Sequence, residues 1–212
     1  MLPSLNNFIT FGKDVFQNRP DYRAMAVDIY TTAMTNEHLG DNDRTNGCKV
    51  AESLLLNLPG HLDDVCLFCC YLGFLLTLVG STQKLSTIVA TALKFLSPQH
   101  RRRYFHLNNH NVLINCIYYN PSMASQILES HGATNQFFEE WFKIINSSEG
   151  MPRVHCKKLT IVALCKVLET LPVAAPPAVQ GAWVHVMVGL LKNLRDLPKA
   201  LEGETLCVHS RL

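Results

Sequence analysis

The segment from Tyr118 to Leu171 constrains the fold most, because three helix-length apolar stretches follow one another with only short breaks between them. Asn120 is a favoured helix N-cap, and Pro121 suits the first helical position. Gly132 suits the residue just after a helix, and Thr134 is a candidate cap for the next helix. The second break contains Ser147, Gly150 and Pro152. Helix, short turn and helix in succession predict stacked helical hairpins.

Apolar residues at helical spacing predict further helices on both sides of this segment. They cover one helix from near Pro3 to about Asn18, then residues 21–34, 44–58 with Asp43 as the cap, 85–96, 106–119 and 179–194. The proline-rich run 172–177 and the tail 202–212 are predicted to be non-helical. No segment alternates convincingly with a period of two residues. The predicted fold class is therefore all-α, an α-solenoid of about four helix pairs.

Composition limits the classes of function open to this chain. Of the 212 residues, 48% are hydrophobic and 17% are charged, and the net charge of +2 argues against strong electrostatic binding of nucleic acid. The first residues, MLPSLNNFITF, lack the basic region and small-residue cleavage site of a signal peptide. We therefore expect the eight cysteines to be reduced thiols in an intracellular protein.

The stretch from Val65 to Gly80 differs from everything around it, because it has neither a charged residue nor helical alternation. It is shorter than the roughly 20 apolar residues that span a bilayer. A buried helix and a membrane span are both open interpretations. A third interpretation depends on the resemblance described below.

Residues that could bind a metal are scattered along the sequence. Cys66 and Cys69 form a C-x-x-C, but a zinc site needs two more ligands and no other pair has matching spacing. His106 and His110 are four residues apart with no third ligand, and we expect them on a solvated helix face. His155, in the first turn of a helix, is expected at the surface.

Two short motifs could contact a partner but have simpler interpretations. The basic run HRRRYF at 100–105 could contact phosphate or act as a transport signal, although a solvated loop is favoured. Phe137, Phe138, Trp141 and Phe142 could form a peptide-binding face, although packing between helices is favoured. No nucleophile, acid or base set stands out. We predict that the protein is not an enzyme and has no catalytic residue, metal site or cofactor.

Several short stretches carry a resemblance to a known family. They are TNEHLG at 35–40 with residues 41–47, AESLL at 51–55, VLIN at 112–115, YYNP at 118–121, FFEEWF at 137–142, HCKKL at 155–159 and ALC at 163–165. They resemble helix and loop positions in the later HEAT repeats of the importin-β family of nuclear transport receptors, in the branch that includes importin-7 and importin-8. The likeness covers roughly residues 1–64 and 85–201.

The resemblance implies a HEAT-repeat superhelix that binds cargo proteins and the small GTPase Ran for protein import into the nucleus. It also implies contact with phenylalanine-glycine nucleoporins through apolar slots between helices. The expected locations are the nucleus, the cytoplasm and the nuclear envelope. Neither nucleic acid nor a membrane is an expected direct partner.

The sequence departs from this family in three ways. It is several times shorter, so we expect a fragment that lacks the main Ran-binding repeats, and no cargo- or Ran-binding residue can be carried over. The acidic loop of this branch is absent. Residues 65–84 have no counterpart, and joining Asp64 to Leu85 gives a more family-like helix entry. We interpret about 65–84 as a translated retained intron and the tail from about Gly203 as similar read-through.

The predicted organisation is a HEAT-repeat segment over residues 1–201, interrupted by the insert 65–84 and followed by an unstructured tail, 202–212. Two other functions stay open. One is a generic helical-repeat scaffold for protein interactions, and the other is a helical protein anchored in a membrane through residues 65–80.

Overall fold

The computed structural model describes residues 2–63, 84–97, 103–147, 150–151, 153–174 and 183–209. Those residues form ten α-helices and no β-strand, which confirms the predicted all-α fold class of helical hairpins. The helices are α1 Leu2–Phe11, α2 Lys13–Asn18, α3 Pro20–Thr35, α4 Asp41–Asn57, α5 Lys84–Leu93, α6 Arg103–Tyr119, α7 Pro121–Ser130, α8 Thr134–Asn146, α9 Val154–Ala174 and α10 Trp183–His209.

The chain divides into two compact units, Met1–Val112 and Leu113–Leu212, with the boundary inside α6. In the first unit, α3 packs against α4 and α5, and α1 packs against α4. In the second unit, α10 packs along α9 and contacts α8, while α7 contacts both α8 and α9. Each unit is therefore built from helices that are close neighbours in sequence.

The first unit has its core between α3, α4 and α5. Tyr30 is fully buried, and its hydroxyl donates to the carbonyl of Ile88 at 3.3 Å. Gly47 lets α3 and α4 approach closely, because a Cβ added there would lie only 2.9 Å from the Cβ of Ala33. The core is therefore close-packed and intolerant of added atoms at this crossing.

The second unit has an aromatic core centred on α8. Trp141 and Phe137 are fully buried, with ring centroids 5.5 Å apart. Phe138 is also buried and packs on Trp141 at 5.8 Å, whereas Phe142 is half-buried and its ring is stacked with that of Trp141 at 6.2 Å. The prediction that these aromatic residues pack between helices is confirmed.

The predicted helix ends on either side of α7 are confirmed in most details. The side chain of Asn120 accepts a hydrogen bond from the backbone N–H of Met123 at 3.1 Å, with Pro121 as the first helical residue. Gly132 has a φ of +62°, a conformation that favours glycine. Thr134 is not the cap. It begins α8, and its hydroxyl donates to the carboxylate of Glu129 at 2.8 Å.

The first predicted helix is broken in the structure. Gly12 separates α1 from α2, and a Cβ at that position would lie 2.7 Å from the carbonyl oxygen of Phe8. Asp43 is likewise not a cap, because α4 begins at Asp41 after Gly40. The Asp43 carboxylate instead accepts a hydrogen bond from the Gly40 N–H at 3.3 Å.

Two proline-containing regions are more helical than the sequence predicts. Helix α9 runs through Pro172 to Ala174, and α10 runs past Pro198 to His209, beyond the predicted end at residue 194 and into the segment predicted to be unstructured. Proline lowers local helix propensity, but the packing of α10 along α9 outweighs that cost.

Several predictions concern residues outside those that the structure describes. These are residues 65–83 of the predicted insert 65–84, with its C-x-x-C, the first half of the basic run 100–105, and the end of the proline-rich run. Among the helices that the structure does describe, none combines the length and the apolar character needed to cross a membrane.

Candidate interaction surfaces

Buried arginines cap the ends of helices in the first unit. The Arg23 guanidinium, on α3, donates to the carbonyls of Phe16 and Gln17 at 2.7 and 2.8 Å, at the end of α2. Arg44, on α4, donates to the carbonyl of Met34 at 3.1 Å, at the end of α3. Its guanidinium also lies 3.5 Å from Asp41. These charges therefore satisfy carbonyls that helix ends leave unpaired, and they are not available to a ligand.

The two histidines of α6 are not on a solvated face, so that prediction is wrong. His110 is fully buried and His106 is half-buried, and their ring centroids are 4.4 Å apart. Nε2 of His106 lies 3.3 Å from the carbonyl oxygen of Leu96. Asn109, between them, donates to the carbonyl of Ala92 at 3.0 Å. This side of α6 packs on the end of α5, and its polar side chains contact backbone carbonyls there.

The described residues contain no group of three or more His, Cys, Asp or Glu side chains that could hold a metal ion. Cys48, Cys116 and Cys156 are buried, and Cys165 is exposed. Burial raises the pKa of the Cys48 and Cys116 thiols, which keeps them protonated and unreactive at neutral pH. His155 is exposed, as predicted.

An apolar groove lies between α1, α2 and α3 in the first unit. Its volume is about 390 Å³, and almost all of its lining is apolar. Its walls are Leu5, Phe8, Phe16, Tyr22, Met25, Ala26 and Ile29. The ring of Phe16 makes edge-to-face contacts with Phe8 at 5.6 Å and Tyr22 at 6.1 Å. Phe8 and Met25 are more than half exposed, so a ligand can reach the groove from solvent.

A second concave surface lies between α8 and α10. It also encloses about 390 Å³ and is lined by Glu139, Phe142, Lys143, Asn146 and His185. The ring of Phe142 lies 6.2 Å from the imidazole of His185. Lys143 is paired with Glu140 at 2.7 Å. Charged side chains border this surface, but most of its lining area is apolar.

Comparison with known proteins shows what this chain is similar to. No family model matches the chain, and no solved structure matches it significantly. A probable importin-7 homolog of Dictyostelium discoideum is 26% identical over 197 residues, which make up 91% of this chain. An importin beta-like SAD2 homolog of Arabidopsis thaliana is 24% identical over 212 residues, or 94% of this chain.

Over most of its length the chain is similar to these importin-type proteins.

The matched region is a small part of each relative. This chain covers 16% of the Dictyostelium protein and 19% of the Arabidopsis protein. The similarity therefore concerns a segment of each relative. The activities of the complete relatives are therefore considered for this chain only as a proposal.

The sequence pattern does not predict the groove. A single helix from near Pro3 to about Asn18 would place Phe8 and Ile9 together on its apolar side, but only Ile9 is fully buried. The break at Gly12 allows α2 to place Phe16 beside Phe8. The signal that could have pointed to it is the glycine between two aromatic-rich stretches, because a glycine inside a helical pattern suggests an interruption.

Proposed function

We propose that this segment takes part in protein import into the nucleus, as a portion of a receptor that binds cargo proteins and the GTPase Ran. The observation that carries the proposal is the similarity of more than nine-tenths of the chain to two importin-type proteins. Such receptors work by binding and release without covalent catalysis. The proposed locations are accordingly the nucleus, the cytoplasm and the nuclear envelope.

The apolar groove supports a further part of this proposal, contact with phenylalanine-glycine nucleoporins. Its volume of about 390 Å³ falls within the range of small-molecule and side-chain pockets. A phenylalanine ring that enters the groove would contact the edges and faces of Phe8 and Phe16. Aromatic rings attract one another in such arrangements. The absence of charge from the lining means that no charged group loses solvation when the ring enters.

The groove can be tested with two phenylalanines of the same helix. Phe8 lines the groove, whereas Phe11 is 87% exposed and does not line it. We expect Phe8→Ser to weaken retention on immobilised phenylalanine-glycine repeats at least several-fold, and Phe11→Ser to change it little. Equal loss in both variants, or no retention of the unmodified chain, contradicts this role for the groove.

The cargo and Ran parts of the proposal have a separate test. The full-length receptor that contains this segment should accumulate in the nucleus with its cargo and release it when Ran in the GTP form is added. If a receptor lacking this segment imports and releases cargo equally well, a generic interaction scaffold becomes the better account. Retention of the chain in membranes after alkaline carbonate extraction supports the third function, anchoring through residues 65–80.

A further inference from the structure

Lys157 is a buried cation near the start of α9. It is only 9% exposed, although lysine is almost never buried to this extent unless its charge is paired. Its ammonium nitrogen lies 3.9 Å from the position that a Cβ on Gly150 would occupy. Gly150 precedes α9, so the side chain reaches back past the first residue of its own helix, in the direction that helical side chains favour. The positive charge is therefore held at the amino-terminal end of α9.

The helix end at which this ammonium group lies is itself positive. The peptide dipoles of a helix sum to about half a positive elementary charge at its N-terminus, and acidic side chains are favoured there. The first turn of α9 contains no acidic residue. The buried ammonium group and the helix end therefore place two like charges together, and an anion beside them would remove the cost of burying the lysine.

The described part of the chain supplies no direct partner for this ammonium group. No hydrogen bond or ion pair joins it to a described residue, whereas Arg23 and Arg44 donate to carbonyls. The pKa of Asp196, on α10, is lowered first by the hydrogen bond from Arg195, and the charge of Lys157 contributes less. The Asp196 carboxylate accepts its hydrogen bond from Arg195 at 3.1 Å and forms no ion pair with Lys157.

We propose that the amino-terminal end of α9 binds a small oxyanion of the phosphate type, held by the ammonium group of Lys157 and the positive end of the helix. Hydrogen bonds from an ammonium group to phosphate are short and strong, and helix N-termini attract phosphate through the same positive potential. Asp196 weakens the site, because its carboxylate repels an anion nearby. The site lies within the second unit and does not depend on the proposed import function.

Two other roles for Lys157 predict different results. The carbonyl oxygen of Ile145, near the end of α8, lies 3.8 Å from the same Cβ position on Gly150, so the ammonium group could instead stabilise the negative end of α8. Alternatively, Glu149 could supply the anion from the chain itself. Glu149 precedes Gly150 in the sequence and lies outside the described residues.

Inorganic phosphate is the probe, and sodium chloride at the same ionic strength is the reference, because screening alone changes electrostatic interactions. In an NMR titration of the 15N-labelled chain, the amide signals of Gly150 and Val154 should shift and saturate with phosphate and not with chloride. Lys157→Met should weaken phosphate binding on the order of tenfold or more, because a hydrogen bond to a charged group is lost. The matched control, Lys158→Met, removes the same charge at an exposed position and should bind nearly as tightly as the unmodified chain.

Asp196→Asn should tighten phosphate binding, because it removes the repelling carboxylate. Thermal unfolding separates the alternatives: phosphate should raise the midpoint of the unmodified chain more than that of Lys157→Met, because a ligand that binds only the native state stabilises it.

Four results would overturn the proposal. The first is the absence of a saturable shift with phosphate beyond that with chloride, and the second is equal affinity in Lys157→Met and Lys158→Met. The third is an equal loss of stability of Lys157→Met in chloride and in phosphate, which assigns the lysine to the end of α8. The last is phosphate binding that appears only in Glu149→Gln, which assigns the position to the carboxylate of Glu149.

Discussion

The ends of the unusual segment after α4 meet in the structure. The carbonyl of Leu62 accepts a hydrogen bond from the N–H of Leu85 at 3.4 Å, so the two residues that flank 63–84 are direct neighbours. If residues 64–83 are deleted, the new sequence is Leu62-Asp63-Lys84-Leu85. In that sequence the existing bond joins the first and fourth residues, which is the hydrogen bond of a β-turn. We therefore predict that the deletion variant folds.

The expected change in stability follows from the length of the loop. Closing a flexible loop costs free energy in proportion to the logarithm of its length, and the deletion shortens this loop from about 22 residues to two. The gain is about 2 kcal/mol if residues 64–83 contribute no packing of their own. For a chain of this size, that corresponds to a rise in the midpoint of thermal unfolding of roughly 4–8 °C.

Far-UV circular dichroism during thermal and urea unfolding measures this effect. Fluorescence is unsuitable, because both tryptophans, Trp141 and Trp183, lie in the second unit. The control deletes residues 63–84. It joins Leu62 directly to Leu85 by a peptide bond, so the turn cannot form, and this variant should be less stable than the unmodified chain.

Two outcomes would refute the reasoning. The first is a loss of more than about 1 kcal/mol, or of cooperative unfolding, on deleting 64–83, because the deleted residues would then supply core packing. The second is equal stability of both deletion variants, because the turn geometry would then be irrelevant. A stable 64–83 deletion would instead support the interpretation of this segment as an insertion into a regular repeat.

Five further measurements test the packing. Gly47→Ala should destabilise the first unit by about 1–3 kcal/mol in urea unfolding, because its Cβ would lie within 2.9 Å of another side chain. Gly189→Ala should stabilise by about 0.5–1 kcal/mol, because its Cβ meets neighbours at an ordinary 3.5 Å and helix propensity improves. Arg44→Met should cost about 2–4 kcal/mol by leaving buried carbonyls unpaired, and Arg44→Lys less, as hydrogen exchange at the end of α3 can show. Alkylation followed by mass spectrometry should modify the exposed Cys165 before Cys48. Burial raises the pKa of Cys48, so its contribution to stability is complete below the unfolded value of about 8.5 and declines as pH rises above it. Cys48→Ala should reduce that decline in unfolding measurements across this range.

Local sequence signals predicted the helices well where one residue decides a boundary. Asn120 and Gly132 work in this way, because an N-cap side chain and a positive φ depend on short-range chemistry. Predictions failed where distant packing decides. Pro198 lies inside a helix that packs along α9. His110 is buried on α6, whose neighbouring His106 and Asn109 contact the end of α5.

The interaction surfaces could be predicted only in part. The aromatic residues around Trp141 had the spacing of a packed face, and they are packed. The groove beside Phe8 depends on the interruption of the helix at Gly12. The interruption lets two helices meet at an angle that the spacing of apolar residues does not encode. The exposed apolar residues of α10 also follow a helical pattern, but the pattern does not say which side of the helix its neighbours leave uncovered.

The capping arginines and Asn109 also impose an order on assembly. In each case the side chain that completes a helix end comes from a helix later in the chain: α3 completes α2, α4 completes α3, and α6 completes α5. During synthesis on the ribosome, each of these earlier helices keeps open carbonyls at its end until the later one emerges. Folding of the first unit should therefore advance stepwise from its amino terminus, with each new helix completing the hydrogen bonds at the end of an earlier one.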